Sequence, residues 1–200
     1  MPSTNTLTDE ALVKAAQKDL SLFRVIVERY EKKLKFYILR ISNVSDLEAE
    51  ELLQDIFLKV WKNLNGFDEG LKFSSWIYRI AHNETISTFR KKKSRGEDLR
   101  TDLETELFEN LPDDLDFTAE IDQKIEANQV RIILDLLPEN YREVLVLRFI
   151  EDQSYEEIGD IIMKPSGTVA TLISRAKAQF KEIYLQQFSL WTQANWLTLF

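Results

Sequence analysis

The stretch SYEEIGDIIMKPSGTVATLISRAKAQFKEI, residues 154–183, decides the fold. Ser154 has N-cap chemistry and Glu157 stands three residues on, so a short helix over 154–162 is expected. KPSGT at 164–168 breaks it, with Pro165 and Gly167 as the breakers. Helical spacing resumes in Val169, Ile173, Ala176 and Phe180. That predicts a second helix from about 168 to 181 with these four residues facing a core. Ala170, Thr171, Ser174, Arg175 and Lys177 then face outward. Two helices joined so tightly have helix-turn-helix geometry, in which the start of the second helix enters the major groove of DNA. Base edges are read there, while basic and hydroxyl groups hold phosphates. The same spacing also fits an ordinary helical hairpin.

Upstream, LPENY at 137–141 closes one helix and opens another, with Pro138 at or near its first turn. Residues 141–150 read as a strongly apolar helix. Helical spacing begins at about Ala119 and runs through Ile121, Ile125, Val130, Ile133 and Leu137. Residues 96–118 are acidic, hold Pro112 and lack a sustained period, which predicts a linker. A helix from about Phe73 to Lys92 precedes it and ends in the basic run Arg90 to Arg95. Such a run suits a solvated helix end, where cations are favoured by the dipole, and equally a phosphate contact. The aromatics Phe67, Phe73, Trp76 and Tyr78 lie near it and fit either core packing or stacking on unpaired bases. Asn63 to Lys72 reads as a loop with Gly66 and Gly70. Ser45 and Glu48 have capping-box spacing and open a helix with the stripe Leu53, Ile56 or Phe57, Val60 and Leu64. Phe23, Ile26, Tyr30, Leu34, Tyr37 and Ile41 form the stripe of an earlier helix, and Thr8 caps the first. No strand shows convincing alternation, so the expected fold is all-α: two small helical domains joined by an acidic linker.

The net charge of -8 is unevenly spread. Residues 1–95 carry +4, residues 96–130 carry -10 and residues 131–200 carry -2. A mildly basic module, an acidic connector and a second module follow from that asymmetry. Local potential governs polyanion binding, so the overall charge does not exclude nucleic acid. With no cysteine there is no disulfide framework, Cys-based zinc site or thiol nucleophile. A single histidine, His82, leaves little for a metal site or a catalytic relay, and no such role is assigned to it. The first ten residues do not form a secretory signal, so the cytoplasm is expected.

Taken together and in order, three segments resemble the extracytoplasmic-function group of the sigma-70 family of bacterial transcription initiation factors. They are AEELLQDIFLKVWKNLNGFD at 49–68, FSSWIYRIAHN at 73–83 and LPENYREVLVLRFIEDQSYEEIGDIIMKPSGTV at 137–169. The resemblance implies a region 2-like domain over 1–95, the acidic linker over 96–118, a region 4-like domain over 119–183 and an extra tail over 184–200. It implies docking of the helix at 48–62 on the clamp helices of the largest subunit of core RNA polymerase, with Glu51, Gln54 and Asp55 on the matching polar positions. The second domain would meet the flap of the second-largest subunit.

The resemblance further implies that the loop at 63–72 and the helix after it open the promoter at the -10 element and hold a flipped base. Phe67, Asp68, Glu69, Lys72, Phe73, Trp76 and Asn83 occupy that region, with Trp76 equally suited to anchor the core. The helix-turn-helix would read the -35 duplex through Ser166, Thr168, Ala170, Thr171, Ser174, Arg175 and Lys177. Here the chain departs from the family pattern: Ala170, Thr171 and Leu172 stand where two basic residues are usual. The acidic linker matches the segment that threads toward the polymerase active cleft. An anti-sigma factor is a possible partner on the same ground.

The tail is a second departure. No charged residue follows Glu182, and the last ten residues hold Trp191, Trp196, Leu197, Leu199 and Phe200. Its length touches that of a membrane span, but Gln186, Gln187, Gln193 and Asn195 make it a poor one. Docking on its own domain or on an inhibitory partner is expected instead of membrane contact. The alternative function is a stand-alone helix-turn-helix regulator that binds duplex DNA without polymerase. An enzyme is not expected: Glu48, Glu51 and Asp55 share helix faces that suit a hard cation, but no phosphate loop or nucleophile motif accompanies them. No cofactor, metal or small-molecule substrate is expected.

Overall fold

A computed structural model of the chain describes residues 7–42, 44–68, 70–94 and 127–197. The expected linker over 96–118, the helical spacing at Ile121 and Ile125, Glu69 and the last three residues lie outside the described residues. Among those described there are eight α-helices and no strand.

The first domain holds α1 (Asp9–Lys18), α2 (Phe23–Ile41), α3 (Asp46–Asn63) and α4 (Phe73–Ser94). Thr8 caps α1 by accepting from the Ala11 N–H. Ser45 and Glu48 form a reciprocal capping box at α3, which satisfies donors that the first turn leaves without intrahelical partners. The α2 stripe is buried at Ile26, Tyr30, Leu34, Tyr37, Ile38 and Ile41, while Phe23 is only partly covered. On α3 the buried face is Ala49, Leu52, Ile56 and Val60. Leu53 and Phe57 flank that face and are half-buried, so Ile56 sets the register. A 3-10 turn at Leu64–Gly66 follows, and the described residues between it and α4 are irregular.

The second domain holds α5 (Ala127–Leu136), α6 (Glu139–Leu145), α7 (Tyr155–Ile162) and α8 (Ser166–Leu197). Pro138 is the N-cap of α6. Arg142 is buried and its guanidinium donates to the carbonyls of Asp135 and Leu137, closing the end of α5. The apolar run at 141–150 is not one α-helix. It passes at Val146–Ile150 into a π-helical turn, which inserts a residue and re-aims the chain toward α7.

The helix-turn-helix is built from α7 and α8. Ser154 and Glu157 make a second capping box. Met163 takes a left-handed conformation at the end of α7, with φ 57° and ψ 46°. The Lys164 N–H then donates to the Gly159 carbonyl at 3.0 Å. Helix α8 begins at Ser166, earlier than spacing alone suggested, because the Pro165 carbonyl accepts from the N–H groups of Thr168 and Val169 and so starts the ladder. Gly167 therefore lies in the first turn and not in the break. Val169, Ile173, Ala176 and Phe180 are buried, as their spacing predicted. The helix runs on for 32 residues, about 48 Å, past the expected end at 181.

Gly159 allows the turn to close. A Cβ there would stand 2.7 Å from the Lys164 carbonyl oxygen, a backbone atom with no freedom to move aside. Gly159→Ala is expected to lower the unfolding free energy by about 1–3 kcal/mol through overpacking, despite alanine's better helix propensity. Urea denaturation measures this, and an unchanged or higher midpoint would show that the turn does not need glycine.

Candidate nucleic-acid interface

Helix α3 presents a bare outer face opposite its buried one. Glu51, Gln54 and Asp55, the three positions picked from the sequence, are all exposed and lie together on it. Between and beside them stand Leu47, Leu58 and Trp61, exposed by 66%, 52% and 46%. Leu58 and Trp61 follow from the Ile56 register, two and five positions after that buried residue, and Leu47, nine positions before it, falls on the same side. The face thus combines acidic and amide groups with large apolar side chains, the composition of a partner surface more than of a solvated helix.

The loop after α3 is shaped by aromatic packing. Phe67 meets Phe73 and Trp76 edge-on, with ring centroids 5.4 Å apart in both pairs. Phe73 also packs edge-on against Tyr30 at 5.6 Å. Phe67, Phe73 and Trp76 are at most 8% exposed. In this arrangement the three are core, and they hold the loop. The polar candidates Asp68, Lys72 and Asn83 are exposed. The Asp68 carboxylate accepts from the Gly70 N–H at 2.9 Å and folds the loop tip. At the loop's end the Glu10 carboxylate of α1 accepts from the Phe73 N–H at 3.2 Å, capping α4 from a distant element. Further along α4, His82, Asn83, Ile86, Ser87, Arg90 and Lys91 line a groove of about 390 Å³. Only Asn83 and the basic run were picked from the sequence. The other members share its helical face at spacings of three and four, which is where a search from Asn83 finds them.

On α8, Ser166, Thr168, Thr171 and Arg175 are exposed, while Ala170, Ser174 and Lys177 are half-buried. The Thr171 hydroxyl donates to the Gly167 carbonyl at 3.0 Å, so its proton is used within the helix. Leu172, at one of the positions where a cation is usual in the family it resembles, is partly buried and packs against the core.

Comparison with known proteins bears on both domains. The family model for Sigma-70 region 2 matches residues 26–95 and that for Sigma-70, region 4 matches residues 128–180. The ECF RNA polymerase sigma factor SigW of Bacillus subtilis is 34% identical over 184 residues, covering 85% of this chain and 93% of that protein. The chain belongs to the extracytoplasmic-function group of the sigma-70 family. It is a promoter-directing initiation factor and not a catalyst. The ECF RNA polymerase sigma-E factor of Escherichia coli K12 is 31% identical to this sigma factor, covering 86% of it and 91% of the relative.

Two solved structures share the fold. The structure of CnrH in complex with the cytosolic domain of CnrY matches with a TM-score of 0.64 at 22% identity, covering 88% of this chain and 96% of that one. The sigma factor RpoE in complex with the anti-sigma factor NepR from Bartonella quintana matches with a TM-score of 0.61 at 22% identity, covering 82% and 96%. Among the described residues of this sigma factor, no helix is long and apolar enough to cross a membrane. No group of three His, Asp or Glu among them converges to hold a metal ion.

Lys72 is not open to solvent on all sides: its ammonium donates to the Glu157 carboxylate at 2.6 Å. Burial would raise the Glu157 carboxyl, but Lys72 and the Ser154 backbone and hydroxyl outweigh it and hold the group below its ordinary 4.5. A carboxyl depressed in the fold stabilises the fold above that ordinary value and loses its contribution as pH falls through the lower folded value. Glu157→Gln is therefore expected to flatten the acid limb of the stability curve below about pH 4.5. Urea midpoints across the acid range check this; parallel curves for the two proteins below that pH would remove the assignment.

Proposed function

We propose that this sigma factor docks on core RNA polymerase through the outer face of α3, captures -10 bases with the loop at 67–72 and α4, and reads -35 duplex with the start of α8. The docking face carries the reading: Glu51, Gln54 and Asp55 share one bare helical surface with Leu58 and Trp61. Apolar groups supply contact area in such a surface, and the acidic groups set register and suppress wrong partners. The polymerase clamp helices are the partner proposed for it, and the flap the partner for the second domain. The working compartment is then the cytoplasm, where polymerase and promoter DNA are met.

Promoter opening in this reading is driven by binding. Unstacking a base costs a few kcal/mol, and seating it in a fitted pocket offsets part of that cost. Asp68, Lys72 and Asn83 are the groups proposed to touch the flipped base or its neighbours, with Glu69 beside them in sequence. Phe67, Phe73 and Trp76 keep the pocket's shape. Ser166, Thr168, Ala170, Thr171, Ser174, Arg175 and Lys177 are proposed at the -35 duplex. With cations missing at 170 and 172, fewer phosphates are neutralised and the salt dependence of duplex binding is shallow.

The proposed domain limits are 1–95 and 119–183, with the acidic stretch at 96–118 entering the polymerase channel. Residues 184–200 are proposed as a docking segment for the chain's own domain or for an inhibitory partner. An anti-sigma factor that covers these interfaces is proposed by analogy with the RpoE–NepR complex.

Anisotropy titration of the labelled chain with core RNA polymerase, without DNA, tests the docking. Saturable sub-micromolar binding is expected, and a folded chain that ignores active core would sink the reading. Gln54→Ala with Asp55→Ala is expected to weaken that affinity at least about tenfold, the effect of losing about 1.4 kcal/mol at an interface. Equal affinity for the two proteins would move the docking surface elsewhere. Arg175→Ala is expected to reduce the log–log salt slope of -35 duplex binding by holoenzyme by about one unit. An unaltered slope would remove Arg175 from the phosphate contacts.

A further inference from the structure

Sulfur is scarce in this sigma factor. It has no cysteine, and its only methionines are Met1 and Met163. Met163 stands at the break between α7 and α8, with φ 57° and ψ 46°. That left-handed conformation ends a helix and is ordinarily filled by glycine or asparagine; a long side chain there is an outlier. Methionine is also among the residues most often buried, yet Met163 is 70% exposed. The turn carries its thioether outward and across to the first domain, where Arg79 Nη1 of α4 donates to Sδ at 3.9 Å. A thioether is a weak acceptor, so this contact holds the guanidinium loosely.

An exposed thioether is open to peroxide. The sulfur lone pair attacks one peroxide oxygen, the O–O bond breaks and an S–O bond forms. The departing hydroxide collects the proton from that oxygen and leaves as water, so sulfur is oxidised and peroxide reduced. Thiol-dependent reductases return the sulfoxide to thioether. The change alters what faces Arg79. A sulfoxide oxygen is polar, and a guanidinium donates to oxygen far better than to sulfur. Arg79 stands seven residues after Lys72 and four before Asn83, so it shares a side of α4 with these two proposed -10 contacts. A cation held by the turn is withheld from phosphate.

We infer that Met163 is an oxidation site through which peroxide weakens promoter binding: its sulfoxide holds the Arg79 guanidinium and takes it out of the -10 contacts. Oxidation of Met163 and capture of Arg79 stand on the contact itself, while the effect on promoter binding rests on the placement of -10 DNA on α4 proposed above.

Hydrogen peroxide applied to the full chain, and removed with catalase before core polymerase is added, tests each step. Peptide mass spectrometry is expected to show the gain of one oxygen at Met163, at a rate close to that of free methionine. The oxidised chain is expected to melt about 2–4 °C higher, the shift that one such hydrogen bond gives in a chain of this length, and Arg79→Ala is expected to abolish that rise. Circular dichroism checks the variant, and Arg79→Leu takes its place if it is unfolded. Holoenzyme assembled with the oxidised chain is expected to lose about one unit of the log–log salt slope of promoter binding, as one phosphate contact goes. In Met163→Leu neither melting nor slope is expected to respond to peroxide. Oxidation of Met163 much slower than that of free methionine, or a melting shift that persists without Arg79, would overturn the inference. An Arg79-dependent shift with an unaltered salt slope would uphold the capture of Arg79 and refute the placement of -10 DNA on α4 instead.

Discussion

The carboxylate of Glu157 works at two levels of structure at once. One oxygen accepts from the Ser154 N–H and completes the cap that starts α7, while the other accepts from Lys72 of the first domain. Local helix initiation and long-range domain placement thus share a single side chain. The helix-turn-helix rests on that start, because α7 sets where Met163 turns and where α8 begins. The domain contact rests on it too, because α7 is the element that lies across α4. A change at this residue is felt in both places, and neither can be tuned alone.

The same economy appears at the start of α4. Glu10 of α1 caps that helix, and Asp9 beside it holds Arg29 at 2.5 Å and the Tyr30 hydroxyl. Tyr30 in turn packs on Phe73. The loop that follows α3 is therefore framed by a chain of contacts that begins in the first helix. Its exposed polar groups ride on an aromatic core and not on a free loop. Preorganisation of this kind limits the ordering cost when a ligand arrives.

Much of the fold was legible because its signals are local. Thr8, Ser45 and Ser154 announce helix starts by their own side-chain chemistry, and the four-residue stripe from Val169 to Phe180 marks a buried face by spacing alone. Other features were not legible because they depend on distant partners. Tyr37 and Glu143 are 106 residues apart, and no spacing rule pairs them. The π-turn at Val146–Ile150 hides in an apolar run that reads as plain helix. Phe67, Phe73 and Trp76 were the hardest case. An aromatic residue near basic groups suits a base or a core equally, and only burial distinguishes the two. On α3 the polar candidates were legible, while Leu58 and Trp61 were masked by the habit of assigning large apolar residues to the interior.

Helix α8 outruns the motif it belongs to. Its first turns form the second half of the helix-turn-helix, and the same unbroken rod continues to Leu197, well past the end of the region 4 match at residue 180. A continuous helix is stiff over such a length. Whatever grips the far end has a lever on the near one: a tilt of a few degrees there becomes a displacement of several ångströms here. The orientation of the first turns of α8 is thereby open to control from a site that never touches them.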